Sequence, residues 1–228
     1  MTIEKQNKII KMLITFICYF AYFKVVSIIC TTLGLKNDVL VSFIADFIFL
    51  IGIIFAYKNN LKNDFKKLKK NYKVSRIIKV VLLGALVIFV FNFFMGAVTE
   101  LLFPNLEVDS NTESITNLQS ISLVYTIFKT MIFAVIAEEL LYRETIGDII
   151  DNKALFIIIS SVVYTIMNFI FVGIDSNLVF FHFIIYFLPA LIFSTIYIKN
   201  DKNIIILMLI KFTYQIIPLT ILLLGLGK

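Results

Sequence analysis

One histidine, two cysteines and no tryptophan stand among 228 residues, and only 16% of the chain is charged. A zinc centre needs nitrogen or sulfur ligands, so this scarcity argues against a metal site and gives no reason to expect a cofactor. Cys18 and Cys30 fall in one apolar stretch with no CxxC spacing and no histidine beside them. That arrangement suits packed thiols better than a disulfide or a metal pair. Also missing are a Pro- or Ser-rich linker, an internal repeat and any soluble domain.

What remains is apolar: 60% hydrophobic residues, with 24 Phe. The composition is that of an all-α, polytopic transmembrane helix bundle, a single integral membrane domain over 1–228. Apolar windows long enough to cross a hydrocarbon core place about seven spans, at roughly 9–32, 39–57, 77–103, 120–150, 154–173, 178–198 and 204–225. Splitting the longest gives eight. The basic start and apolar core of the first resemble a signal peptide, but no small-x-small site follows and the apolar run passes Phe23, so a retained span is expected.

The cations set an expected orientation. Lys58 to Arg76 carries eight Lys or Arg against one Asp, whereas Pro104 to Asn117 carries three acids and no base. By the positive-inside rule the loop 58–76 and the N-terminus are cytoplasmic in a plasma-membrane protein. The net charge of +6 is therefore a topology determinant lying against anionic membrane lipid, at most as a surface helix, and not a nucleic-acid signal. Pro189 and Pro218 fall inside the sixth and seventh spans, where a kink or a freed carbonyl is tolerated beside a cavity.

Ionisable groups inside a bilayer are costly and mark function by default. They are Lys24, Asp46, Glu100, Lys129, Glu138, Glu139, Arg143, Glu144, Asp148, His182 and Lys211. Lys24 and Asp46 lie at similar distances from the turn near Asn37, which predicts an ion pair between the first two helices. Glu100 is expected to snorkel or to reach Lys129. His182 falls near the outer end of the sixth span, a packed or interfacial position. Only the fourth span clusters its charges. Glu139 and Arg143 are four apart, acid first, hence paired on one face; Glu138 is rotated by about 100° and can face elsewhere. One acid tied to Arg143 as scaffold and one aimed at a water is the division this suggests, though a purely structural cluster fits the spacing equally well.

The stretch EELLYR, Glu138 to Arg143, resembles the EExxxR signature of the CPBP proteins, the CAAX proteases and bacteriocin-processing enzymes also called the ABI or type II CAAX prenyl endopeptidase family. The resemblance covers 119–217, leaving 1–118 as N-terminal spans. It implies a multi-span intramembrane protease in which a Glu of the pair activates water and two His and an Asn from later helices complete the site. Where the family has FxxxH, this chain has YTIMN, Tyr164 to Asn168. Counting equal distances from a reversal at Lys153 puts Asn168 level with Glu138. Where the family has HxxxN, the run opened by Asn203 places Lys211 and Gln215.

These departures bear on chemistry. Histidine exchanges protons near neutral pH, whereas an amide holds a water or donates a hydrogen bond. An ammonium opposite Glu138 or Glu139 favours the ionised carboxylate and weakens it as a base. The degenerate site of Glu138, Glu139, Asn168, Lys211 and Gln215 then suits a clamp, with Arg143 structural. Against this, a desolvated lysine can move protons, and Gln215 can donate to an oxyanion. Three functions stay open. One is a pseudoprotease scaffold, regulator or bacteriocin self-immunity protein that binds a hydrophobic peptide or transmembrane partner. The second is an active endopeptidase using Glu138 on a hydrophobic or lipidated peptide. The third is a transporter or proton pathway, for which the expected inverted repeats are missing. Usage rich in Ile, Lys and Asn is that of an AT-rich bacterium.

Overall fold

The computed structural model describes residues 3–102, 122–172 and 179–223. The acidic connection from Pro104 to Asn117 and the GIDSN turn lie outside the described residues. Seven long helices and one short one are present among the described residues. They are α1 (Ile3–Thr32), α2 (Asp38–Ala56), the short α3 (Lys58–Asn71), α4 (Val74–Leu102), α5 (123–147), α6 (Lys153–Val172), α7 (Val179–Lys199) and α8 (Ile204–Leu223). No strand occurs among them. Five of these, α1, α2, α4, α7 and α8, are long and apolar enough to cross a membrane by length and composition, and Lys153–Phe169 is a shorter apolar stretch. The protein is a multi-pass membrane bundle. α5 is not among these five; its winding changes between α and π along its length, and it carries Lys129, Glu138, Glu139, Arg143 and Glu144.

The turns follow from local chemistry. α1 ends where Gly34 adopts φ +81, which a residue without Cβ reaches freely, and Leu35 N–H closes on the Cys30 carbonyl at 2.9 Å. Asn37 then caps α2 by accepting from Leu40 N–H at 3.0 Å. The Lys-rich loop is indeed a helix, α3, lying across the ends of the spans. Asn152 restarts the chain at α6 through Leu155 N–H, also at 3.0 Å.

α5 is the central helix. Nearly every residue from Tyr125 to Gly147 is buried or half-buried, and it packs on α2, α6 and α8. From Phe128 to Glu138 and again from Leu140 to Glu144 it winds as a π-helix, and the Thr145 N–H and hydroxyl both reach the Leu140 carbonyl, five residues back. Such wide turns are rare outside functional sites. Phe133, Leu140 and Leu141 of α5 and Ile206, Leu207 and Ile210 of α8 form the sealed centre. Gly84 lets α4 approach there, since a Cβ on it would fall 2.7 Å from the Ile210 side chain.

Three expectations are corrected. Lys24 does not pair with Asp46, because it lies on the exposed face of α1. Asp46 instead accepts from the Tyr22 hydroxyl at 2.7 Å and from the Tyr125 hydroxyl and Lys129 Nζ, both at 2.8 Å. Lys129 is thereby drawn inward, away from Glu100, which is exposed. Cys18 is exposed, not packed; Cys30 is buried, and both are free thiols.

Candidate functional site

Two helix ends fix the depth of the site. α8 starts at Asn203, whose side chain accepts from Ile206 N–H at 3.2 Å, while Asp64 of α3 accepts from Ile204 N–H at 2.9 Å. A carboxylate at a helix N-terminus meets both the free N–H groups and the positive end of the helix dipole. At the other side of the same turn, Asp201 and Lys202 take left-handed backbone angles, φ 55 and 53, and Lys202 Nζ donates to the carbonyls of Gly147 and Ile150 at 2.8 and 3.1 Å. That ammonium caps the C-terminal end of α5. The turn from α7 to α8 therefore ties the helix that carries the two glutamates to the helix that carries Lys211.

With both ends pinned, Lys211 sits just over two turns into α8 and meets α5. Its Nζ lies 2.8 Å from Glu138 Oε2 and 2.9 Å from Glu139 Oε1. Glu139 is 0% exposed, Lys211 6% and Glu138 24% by side chain, so one carboxylate of the pair still reaches the bundle surface. Arg143 Nη1 approaches Glu139 Oε1 at 3.5 Å, a longer contact than the ammonium makes with the same oxygen. The four charges sum to zero, which is the condition for holding them in a medium of low dielectric.

Arg143 faces aromatic rings more than oxygens. Its guanidinium carbon lies 4.9 Å from the Tyr164 ring centre and 5.6 Å from that of Phe193. Nε and Nη2 of Arg143, together with Glu139 Oε2, have no hydrogen-bond partner among the described residues. A guanidinium over π-faces recovers part of its lost hydration.

The Glu139–Arg143 pair expected from spacing is present at 3.5 Å, but Glu139 shares that oxygen with a closer cation. Lys211 holds both carboxylates. The register of α6 also differs from the count made from Lys153. Ser160 donates to the Tyr142 carbonyl at 2.7 Å, and four residues outward from that bond reach Glu138 on α5 and Tyr164 on α6. The connection after Gly147 uses up residues without adding depth, so Tyr164 stands at the level assigned to Asn168. Asn168 is half-buried and turns its amide to its own helix, donating to the Tyr164 carbonyl at 2.8 Å. Gln215 is buried and, among the described residues, bonds to neither carboxylate. His182 is buried on α7, at the end away from the turn at 199–203, and its Nδ1 has no partner among the described residues. No group of three His, Cys, Asp or Glu among the described residues has the geometry to hold a metal.

Sequence reasoning missed Tyr164 and Phe193 as the walls of Arg143, and Asp64 as the cap of α8. Asp64 did carry a signal, being the lone acid in a run of eight cations.

Residues 120–217 match the model of the type II CAAX prenyl endopeptidase Rce1-like family. No curated protein and no solved structure matches the chain.

Proposed function

We propose that this chain, a membrane protein with an Rce1-like domain over residues 120–217, is a catalytically degenerate member of its family. The protease-like bundle serves as a scaffold that binds a hydrophobic peptide or a transmembrane helix of a partner, as a membrane regulator or bacteriocin self-immunity protein would. The α3 end lies at the cytoplasmic face of the plasma membrane. One observation carries the reading: the Lys211 ammonium stands 2.8 and 2.9 Å from the two carboxylates, where a water-activating glutamate needs its lone pairs for water. A carboxylate already bound to an ammonium is a poor base, and each missing general acid or base commonly costs about 10²–10⁴ in rate.

The competing reading is an active endopeptidase, favoured by the partial exposure of Glu138. Cleavage separates the two. Purified protein in proteoliposomes, given single-span hydrophobic peptides and a C-terminally prenylated peptide, is expected to release no fragment by mass spectrometry. Fragment release by the unaltered protein that Glu138→Gln abolishes, with melting temperature unchanged, overturns the degenerate reading.

A further inference from the structure

A second polar site lies at the α3 end, apart from the quartet. Helices at a membrane surface normally turn an apolar stripe inward. Here α1 and α3 each turn a polar stripe at helical spacing, Glu4 to Lys11 and Asn60 to Lys67, toward a shared cavity of about 460 Å³. That volume falls within the ~300–1,000 Å³ usual for small-ligand sites. Four acids and four lysines line it, so it is neutral overall while offering both signs.

Glu4 pairs with Lys8 at 2.8 Å and Asp64 with Lys67 at 3.2 Å, which leaves Glu144 and Asp148 as the lining acids without an ion pair. Glu144, 5% exposed, accepts from the Asn60 amide at 2.7 Å and the Tyr197 hydroxyl at 2.8 Å; Asp148 accepts from the same amide at 3.0 and 3.2 Å. Among the described residues no cation comes within ion-pair distance of either carboxylate. Across the cavity, Lys11 holds its ammonium 3.5 Å over the Tyr57 ring, with no carboxylate partner among the described residues. Two carboxylates served only by neutral donors, facing an ammonium served only by a ring, complement a ligand that is cationic at one end and anionic at the other.

We infer that this cavity binds the phosphoethanolamine headgroup of a membrane lipid, its ammonium on Glu144 and Asp148 and its phosphate toward Lys11. A primary ammonium brings N–H donors that the carboxylates can accept, whereas a choline head has none. The lipid source follows from position. The cavity opens where α3 crosses the ends of the spans, among the first turns of α1 and the last of α5, at the level of bilayer headgroups.

The test is thermal unfolding of the full chain in detergent, titrated with short-chain phosphatidylethanolamine, phosphatidylglycerol and phosphatidylcholine of equal acyl length, and with free phosphoethanolamine. Phosphatidylethanolamine is expected to raise the melting temperature saturably, and the other three to have little effect. Asp148→Asn, which keeps shape at a half-buried position, should weaken that response at least about tenfold, the loss of one charge-assisted bond, and Lys11→Gln should also weaken it. An equal rise with phosphatidylglycerol or phosphatidylcholine overturns the assignment, as does an unchanged response in Asp148→Asn. A full response to free phosphoethanolamine overturns the lipid source. Should Asp148→Asn fail to fold, Lys11→Gln decides: an unchanged response in it overturns the proposal.

Discussion

α5 and its C-cap carry two pairs of carboxylates, and the protein treats them differently. Glu138 and Glu139 are matched by cations, Lys211 and Arg143, in the middle of the bundle. Glu144 and Asp148, roughly one and a half and two and a half turns further on, are matched by an amide and a phenol. The first pair is electrostatically complete, with the Lys211 ammonium bound to one oxygen of each carboxylate. The second is held in place by neutral donors alone. Position explains the contrast: deep in the bundle an unpaired carboxylate is too costly, while near the α3 end lysines and water lie close enough to share the field.

The most damaging way to break this contrast is to remove the ammonium from the first pair. Lys211→Met leaves two carboxylates facing one guanidinium in a buried place. Stability in detergent is expected to fall by about 3–5 kcal/mol, read as melting temperature or yield of folded protein. Adding Glu138→Gln should return a substantial part of that loss, because the remaining Glu139–Arg143 pair is again neutral; simple additivity of the two changes would show that Lys211 does not act through the carboxylates. At the second pair, Asn60→Ala should cost less, about 1.5–3 kcal/mol, the usual worth of hydrogen bonds to charged groups. Equal losses in the two variants would erase the distinction drawn between the pairs.

The two pairs were not equally legible. The bundle followed from apolar windows, and α3 from a charged run too short to be a domain. Lys211 was implied opposite the glutamates by the resemblance to the HxxxN signature, and the Asn203 cap that starts α8 keeps that position in register. Counting from Lys153 failed because five residues of connection separate α5 from α6, and the π winding of α5 has no recognised sequence mark. Asp46 found Lys129, not Lys24, because facing is decided by which side of α1 packs, and an almost wholly apolar helix does not declare its buried side. The second carboxylate pair gave no motif at all. Its partners Asn60 and Tyr197 are 84 and 53 residues away, and only tertiary packing brings them in.

Between the pairs stands the turn at 199–203, and Asp64 tests whether it positions Lys211. Asp64→Ala removes the cap on Ile204 N–H and the partner of Lys67. A loss of about 0.5–2 kcal/mol is expected from a cap of this kind. If the turn sets depth, Asp64→Ala and Lys211→Met should show coupling in a double-mutant cycle, although the residues do not touch.

The smallest effect is a pH dependence at the α3 end that touches neither pair. Tyr72, in the connection between α3 and α4, donates to Asp201 Oδ2 at 3.2 Å, tying α3 to the same turn. Burial, then the neighbouring Asp201 charge, pushes the Tyr72 phenol up from its ordinary value, with Arg76 opposing. The folded chain therefore holds this proton more tightly than the unfolded chain does. Its contribution to stability is complete below about pH 10, where an unfolded tyrosine keeps its proton, and is lost as pH rises through the folded value. Tyr72→Phe lacks that contribution at every pH, so the gap between the melting temperatures of the unaltered and variant proteins should narrow above about pH 10. A gap that stays constant across that range would mean that Tyr72 acts by packing alone, and that the latch between α3 and the turn rests on Asp64 and Asn203.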